Sequence, residues 1–359
     1  MILEAFKDLN TTATSIANRF HLSDTHVLNV FDKYVDLDRL ELSEIVSIDE
    51  VFWNYDYDSK YSLVLMDFTT GNAIDMLQSR RQEYTSNYFS SIPPKERYSV
   101  RFLVCDMYKP YAAYIKNHFP NAALVIDSFH VIQWILSRIM TYLRKLQRKH
   151  TEIHNKKVES ISKERGFSVN IPDSDELYLL KKHKWVILSN PSNINYNAKS
   201  RYDKHFRYYM DTYKYEHLFL KIDSNLSKIR DLKNLYIEFN DSNITSSEKA
   251  LEQLNLLIGI YRNSGVDMFL DFANLLDSFK YEISNSFIRV KKVNKNNNEY
   301  YASLSNGPIE SMNRKAKDLK RNSRGIRNFK HARNRFLFAN RVNPEILGSP
   351  KNNNNTNRD

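Results

Sequence analysis

The sequence predicts an α/β protein: a mixed sheet with flanking helices, interrupted by a large α-helical insertion and preceded by a helix-turn-helix. Three observations predict it. Phe102-Leu103-Val104-Cys105 runs apolar into Asp106, and Ala122-Ala123-Leu124-Val125-Ile126 runs apolar into Asp127; short apolar runs bounded by turn signals suit strands covered on both faces. Between them, Tyr111, Tyr114, Ile115 and His118 lie at helical spacing from Pro110 to Phe119, and Pro120 stops the helix. After His130 the texture turns to long charged and aromatic helical segments that only Gly166, Gly259 and Gly265 interrupt as far as Val290. A buried strand end is a costly place for a bare carboxylate, so Asp106 and Asp127 call for compensating partners.

The N-terminal pattern spans Thr14 to Tyr34. Ile16, Ala17 and Phe20 are spaced for one packing face, Leu22 lies in a turn, and Ser23 is placed to cap a second helix with Val27, Leu28 and Phe31 inward. Asp24, Thr25, His26 and Asn29 then face outward, as on a recognition helix that meets a DNA groove. Two core helices give the same pattern. From Glu44 the periodicity changes. Ile45-Val46-Ser47-Ile48 runs into Asp49, Tyr61 to Phe68 is a second strand, Thr69-Thr70-Gly71-Asn72 a turn, and Ala73 to Leu77 a third strand. Glu83 to Ser91 is helix-compatible and leads through Pro93-Pro94 to the strand-helix-strand unit.

Later segments read as helix over Leu136 to His150, Leu226 to Phe239, Ser247 to Arg262 and Val266 to Phe287. Phe206, Tyr208, Tyr209, Tyr213 and Tyr215 have ring faces that suit base stacking, although core packing is the commoner use of such residues. Ser305-Asn306-Gly307-Pro308-Ile309-Glu310 starts a helix: a capping-type residue, Pro near the first helical position and an acid in the first turn. Asn313, Arg314 and Lys317 follow three, four and seven residues after Glu310, on its face. From Arg314 to Arg335 there are ten Lys or Arg against one acid, Asp318, a density that favours phosphate contacts by residues such as Lys320, Arg321, Arg324 and Arg327. The polar end from Lys351 to Asp359 has the composition of a disordered tail.

Composition narrows the class. The chain has 359 residues, 42% of them hydrophobic, enough for a large core. No window approaches the roughly 18 uninterrupted apolar residues of a membrane span, and the start lacks the apolar run of a signal peptide. A cytoplasmic, nucleoid-associated protein is expected. The single cysteine, Cys105, excludes internal disulfides and cysteine-cluster zinc sites. A net charge of +11 points to a polyanionic partner.

Three acids stand out by position: Asp49, Asp106 and Glu310. Phosphodiester cleavage and transesterification commonly use two divalent ions about 3.5–4 Å apart, held by a few carboxylates, and hard oxygen ligands suit magnesium. Carboxylates from three distant parts of the chain would serve that purpose if the fold brings them together.

Four motifs carry a family resemblance: Ser47-Ile48-Asp49-Glu50; Cys105-Asp106-Met107 with Pro110-Tyr111; Ile126-Asp127-Ser128-Phe129-His130-Val131; and Ser305-Asn306-Gly307-Pro308-Ile309-Glu310-Ser311-Met312-Asn313 with Arg327-Asn328-Phe329. In this order, around a helical insertion, they resemble the DDE transposases of the ISL-three family of bacterial insertion sequences. The resemblance covers about Thr14 to Arg335. It implies an RNase H-like catalytic domain with Asp49, Asp106 and Glu310 as a triad binding magnesium (or manganese), and Asp127 and His130 as auxiliary residues. It implies double-stranded DNA as the partner, both terminal inverted repeats and target, and a homodimer or higher multimer on paired ends. The expected organisation is a helix-turn-helix DNA-binding segment at 1–40, the first part of the catalytic core at 41–135, a mostly helical insertion at 136–300, the last core helix and basic DNA-contact region at 301–345, and a disordered tail at 346–359. Members of the family commonly begin with a cysteine-rich zinc-binding module, for which this chain has no cysteines. The alternatives are therefore a catalytically silent truncated copy acting as a DNA-binding repressor, and a structure-selective nuclease on the same type of fold.

Overall fold

The structure is a computed structural model that describes residues 1–54, 59–107, 117–293, 298–323, 326 and 328–347. Most of the helix expected between Pro110 and Phe119 lies outside the described residues, as do Arg324, Arg327 and the tail from residue 348 on. The first two residues of the expected tail are ordered, with Ile346 packed on the core and the Leu347 N–H donating to the Tyr34 carbonyl at 2.9 Å. The chain divides into two compact units, one comprising Met1–Asp127, Thr245–Ser247 and Glu282–Asp359, the other Ser128–Ile244 and Glu248–Tyr281. Among the described residues no helix is long and apolar enough to cross a membrane.

The first unit is mixed α/β. Its strands are β1 (Ile45–Phe52), β2 (Tyr61–Asp67), β3 (Ala73–Leu77), β4 (Phe102–Cys105) and β5 (Ala123–Ile126), in the order β3-β2-β1-β4-β5. The first three form an antiparallel meander, and β4 and β5 join β1 in parallel. Helices α1 (Ile2–Ala5), α2 (Ala13–Phe20) and α3 (Asp24–Tyr34) precede the sheet, and α4 (Gln82–Ser91) and α5 (Pro94–Ser99) lie between β3 and β4. Period-two alternation sends the side chains of β1 to two cores. Val46 and Ile48 pack with Leu63, Leu65, Leu103, Cys105, Phe89 and Phe119 on one face. Ser47 and Asp49 belong to the other, where Val51 packs with Val64 and Met66. The sequence places Asp49 at the end of its strand, but β1 runs on to Phe52. The reason is its antiparallel neighbour, since Glu50, Val51 and Phe52 continue the ladder against Leu63, Ser62 and Tyr61.

The second unit is built on α6 (Ser128–Arg165), a single helix of 38 residues. Against it lie α7 (Asp175–Lys182), α8 (Trp185–Leu188), α10 (Leu226–Asn240) and α12 (Asp267–Ser278). Helix α9 (Thr212–Leu220) packs on α7 and α8, α11 (Ser247–Arg262) donates from Tyr261 Oη to the Leu232 carbonyl of α10 at 3.2 Å, and α13 (Lys280–Asn285) leads back into the first unit. Trp134 of α6 stacks on Phe272 of α12 at 5.8 Å. The stretch read as helical also holds two short antiparallel ribbons, β6 (Arg201–Asp203) with β7 (Tyr208–Met210), and β8 (Arg289–Val293) with β9 (Glu299–Ser303). The latter belongs to the first unit, where Val290 and Leu304 pack against Ile45, Val104 and Val125.

Helices α14 (Gly307–Asn322) and α15 (Phe329–Ala339) complete the first unit. Ile309, Met312, Ala316 and Leu319 of α14 share one core with the sheet, with Phe336 and Leu337 of α15, and with Ile16, Val27 and Phe31 of the N-terminal helices. The N-terminal segment is thus packed into the sheet-bearing unit. Arg335 secures it. Although it closes the basic run, it is 2% exposed and donates to the carbonyls of Phe6, Asp8 and Thr11, with its guanidinium 4.4 Å over the Phe6 ring. Burial lowers its pKa to about 10, so it stays charged at neutral pH. Arg335→Ala strands those carbonyls and should lower unfolding stability by about 3 kcal/mol, read as a shift of the urea midpoint. An unchanged midpoint would mean that the apolar contacts alone hold these helices.

Candidate active site

Strand register brings the acids together. Ser47 pairs with Val104 and Cys105 with Ile126. Carried on by one or two residues past the last ladder pairs, that register brings Asp49, Asp106 and Asp127 into one row at the same end of β1, β4 and β5. Parallel partners share a face, so the three carboxylates leave the sheet on the side that α14 covers. The buried Cys105 thiol records their proximity: burial, then the charges of Asp106, Asp49 and Glu282, push it well above its ordinary range.

Each carboxylate is oriented by N–H groups. Asp49 Oδ1 accepts from the Glu50 backbone N–H at 2.7 Å, and its Oδ2 accepts from Asn313 Nδ2 at 2.8 Å. Asp106 Oδ1 accepts from the Met107 N–H at 2.6 Å. Asp127, 7% exposed, accepts the Asn306 N–H on Oδ2 at 2.7 Å. Asn306 is the N-cap of α14, yet its side chain makes no capping bond, and Asp127 occupies the place where a helix N-terminus welcomes negative charge.

These bonds fix Glu310. Helix α14 is tied to β5 through Asn306 and to β1 through Asn313, seven residues on and about 10.5 Å along the axis. Two strand steps span about 9.6 Å, so the helix crosses β4 between its ties. Glu310 lies midway, half-buried in the first turn, with its N–H on Asn306 O at 2.9 Å. It is therefore on the part of α14 that crosses the strand bearing Asp106.

The carboxylate oxygens are hard donors of the kind that magnesium and manganese prefer. Asn313 Oδ1 adds a buried oxygen that accepts no hydrogen bond. The donor set fits such an ion in chemistry. Among the described residues, however, no group of three or more His, Cys, Asp or Glu side chains is gathered closely enough to hold a metal: the acids form a row rather than a closed shell.

The remaining expected residues fall in different places. His130 is half-buried in the second unit, beside Phe129 near the start of α6. Arg314 and Lys317 are exposed on α14, whereas Asn313 is 3% exposed and faces the sheet. Lys320 reaches back to the Trp53 carbonyl at 2.9 Å and lies 4.6 Å over the Phe52 ring. Arg321 pairs with Asp318 along the helix. On α3, Thr25, His26 and Asn29 are exposed, while the Asp24 carboxylate accepts from Thr14 Oγ1 at 2.6 Å and so braces α2. Sequence reasoning missed Glu282, whose Oε2 is buried without a hydrogen bond and whose charge reaches Cys105. It sits in a helical segment with no local signal to mark it.

A family model described as Transposase, that of the ISL-three DDE transposases, matches residues 46–336, about four-fifths of the chain. No curated protein and no solved structure matches the chain.

Proposed function

Because the chain belongs to the ISL-three family of DDE transposases, we propose that it cuts DNA at the ends of an insertion sequence and joins the freed 3′-hydroxyls to target DNA. The observation that carries this reading is the row of Asp49, Asp106 and Asp127 spanned by the helix that bears Glu310. The mixed five-stranded sheet, in the order β3-β2-β1-β4-β5, is compatible with an RNase H-like catalytic domain.

Asp49, Asp106 and Glu310 would hold magnesium or manganese. When bound, such ions supply Lewis-acid stabilisation of the charge that develops on the phosphate. The protein's own part is positioning. In-line displacement needs the attacking oxygen, phosphorus and leaving oxygen in one line, and pre-set geometry of this kind removes several kcal/mol of barrier. Asp127 sets the start of α14 and hence Glu310, and Asn313 sets Asp49. His130 is the auxiliary residue of the same motif as Asp127. Arg314, Lys317, Arg321 and the neighbouring basic residues contact backbone phosphates, and Thr25, His26 and Asn29 of α3 contribute to recognition of the terminal repeats. The active form is a homodimer or larger, acting on paired ends.

The test uses a supercoiled plasmid carrying the gene with its own flanking DNA. Magnesium-dependent cutting at the flanks, abolished by chelation, is the expected result. Binding to the flanks with no cutting in magnesium or manganese would favour the repressor reading, and cutting without regard to sequence the nuclease one.

The basic face has its own signature. Arg314→Ala with Lys317→Ala should weaken binding to all duplexes alike and reduce the slope of log K against log salt by about 2. An unchanged slope in a fluorescence-anisotropy titration would remove this face from the DNA contact.

A further inference from the structure

In the second unit, the β6–β7 ribbon places aromatic rings in two layers. The inner layer is immobilised by Asp203. Its Oδ1 accepts the His205 N–H at 2.7 Å, and its Oδ2 accepts the hydroxyls of Tyr215 at 2.6 Å and Tyr178 at 2.9 Å. His205 stacks on Tyr178 at 4.1 Å, and His183 on Tyr215 at 3.9 Å. Arg207, in the left-handed region at φ 59°, turns the ribbon. The platform is therefore rigid, and a ligand that docks on it does so with little ordering cost.

The outer layer has no such use. Tyr202 is 56% exposed, Tyr209 61% and Tyr213 63%. Tyr202 and Tyr209 face each other across the ribbon, with centroids 5.8 Å apart. Tyr208, 44% exposed, has the Lys214 ammonium 5.8 Å over its ring, and Lys214 also donates to the Tyr209 carbonyl at 2.8 Å. Exposed Arg201, Lys204 and Arg207 surround the rings. The buried Asp203 is committed to the inner layer and Asp211 lies 4.0 Å from the Lys214 ammonium, so the net positive charge of the outer face comes from Arg201, Lys204 and Arg207. Large exposed rings in one patch mark an interaction surface. Ring faces alternating with cations match a strand whose bases stack and whose phosphates alternate with them.

We infer that the β6–β7 ribbon docks DNA with unstacked bases, the tyrosines receiving the bases and the cations the adjacent phosphates. The inference rests on the transposase reading, which supplies such DNA at opened element ends. Residues Phe206 and Tyr215, half-buried in the inner layer, take no part in the docking.

The experiment compares the full chain with Tyr202→Ala/Tyr209→Ala and Tyr202→Phe/Tyr209→Phe. The probes are one duplex with flush ends and the same duplex with a short single-stranded extension containing 2-aminopurine. Wild type should prefer the extended duplex by about tenfold, the gain from stacking one or two bases, and should quench the 2-aminopurine. The alanine variant should lose both effects while keeping its melting temperature and its affinity for the flush duplex, and the phenylalanine variant should keep both. Wild-type behaviour of the alanine variant would overturn the inference. So would a loss of self-association in the alanine variant with unchanged DNA binding, which would assign the ribbon to contacts between copies. If wild type binds flush and extended duplexes equally, this inference alone fails. If it binds neither, the transposase reading fails with it.

Discussion

Glu310→Gln leaves a protein that melts like wild type and binds duplex DNA, but its cutting of element ends falls by at least about 10³-fold, a loss of the size seen when preorganised transition-state charge is removed. Asp49→Asn and Asp106→Asn behave alike. The substitutions are close to isosteric, and Glu310 and Asp49 are only half-buried, so the fold is undisturbed while the hard anionic oxygens disappear. End cutting by purified variants, alongside melting curves and anisotropy, checks the expectation. Cutting at the wild-type rate removes that residue from the triad. Asp127 separates two roles. An asparagine oxygen still accepts the Asn306 N–H that Asp127 holds at 2.7 Å, so Asp127→Asn retains most activity if the residue positions α14, whereas Asp127→Ala does not. Equal loss in both variants would make Asp127 a metal ligand.

Asn313→Ala is expected to lower cutting by about 10–100-fold and to raise the magnesium concentration needed for half-maximal rate. Partners that orient ligating carboxylates typically contribute that much, and Asn313 is the side chain that holds Asp49 Oδ2 from α14. Asn313→Asp should be worse than the alanine, because a second carboxylate against Asp49 repels it. The reading is the rate as a function of magnesium at constant ionic strength. A lowered rate with an unchanged magnesium dependence would make Asn313 a packing residue of α14 and nothing more.

How much of this was legible in the sequence depended on the range of the determining contact. The strands were legible because apolar runs ending in a carboxylate are a local signal, and so was the start of α14 at Asn306-Gly307-Pro308. The full length of β1 was not, since Glu50 to Phe52 are held by pairing to β2. Helical spacing grouped Asn313 with Arg314 and Lys317. The boundary between the packed and solvated faces of α14 runs between residues 313 and 314, and only the position of the sheet could reveal that. Counting charges made Arg335 the last member of the basic run, yet its partners are carbonyls of Phe6, Asp8 and Thr11 at the other end of the chain. Among the aromatics of the β6–β7 segment, composition could not separate the packed Tyr215 from the exposed Tyr209 and Tyr213. The approach of Glu282 to Cys105 likewise joins distant segments and leaves no mark in either.

In the proposed site Asp49, Asp106 and Glu310 hold a divalent cation together. Manganese binding to the DNA-free protein, followed by loss of the free-ion electron paramagnetic resonance signal, tests it most directly in wild type, Asp49→Asn, Asp106→Asn and Glu310→Gln. Binding by wild type that each substitution weakens by about tenfold or more, with melting temperatures unchanged, is the predicted result. Equal binding by wild type and all three variants would contradict the claim.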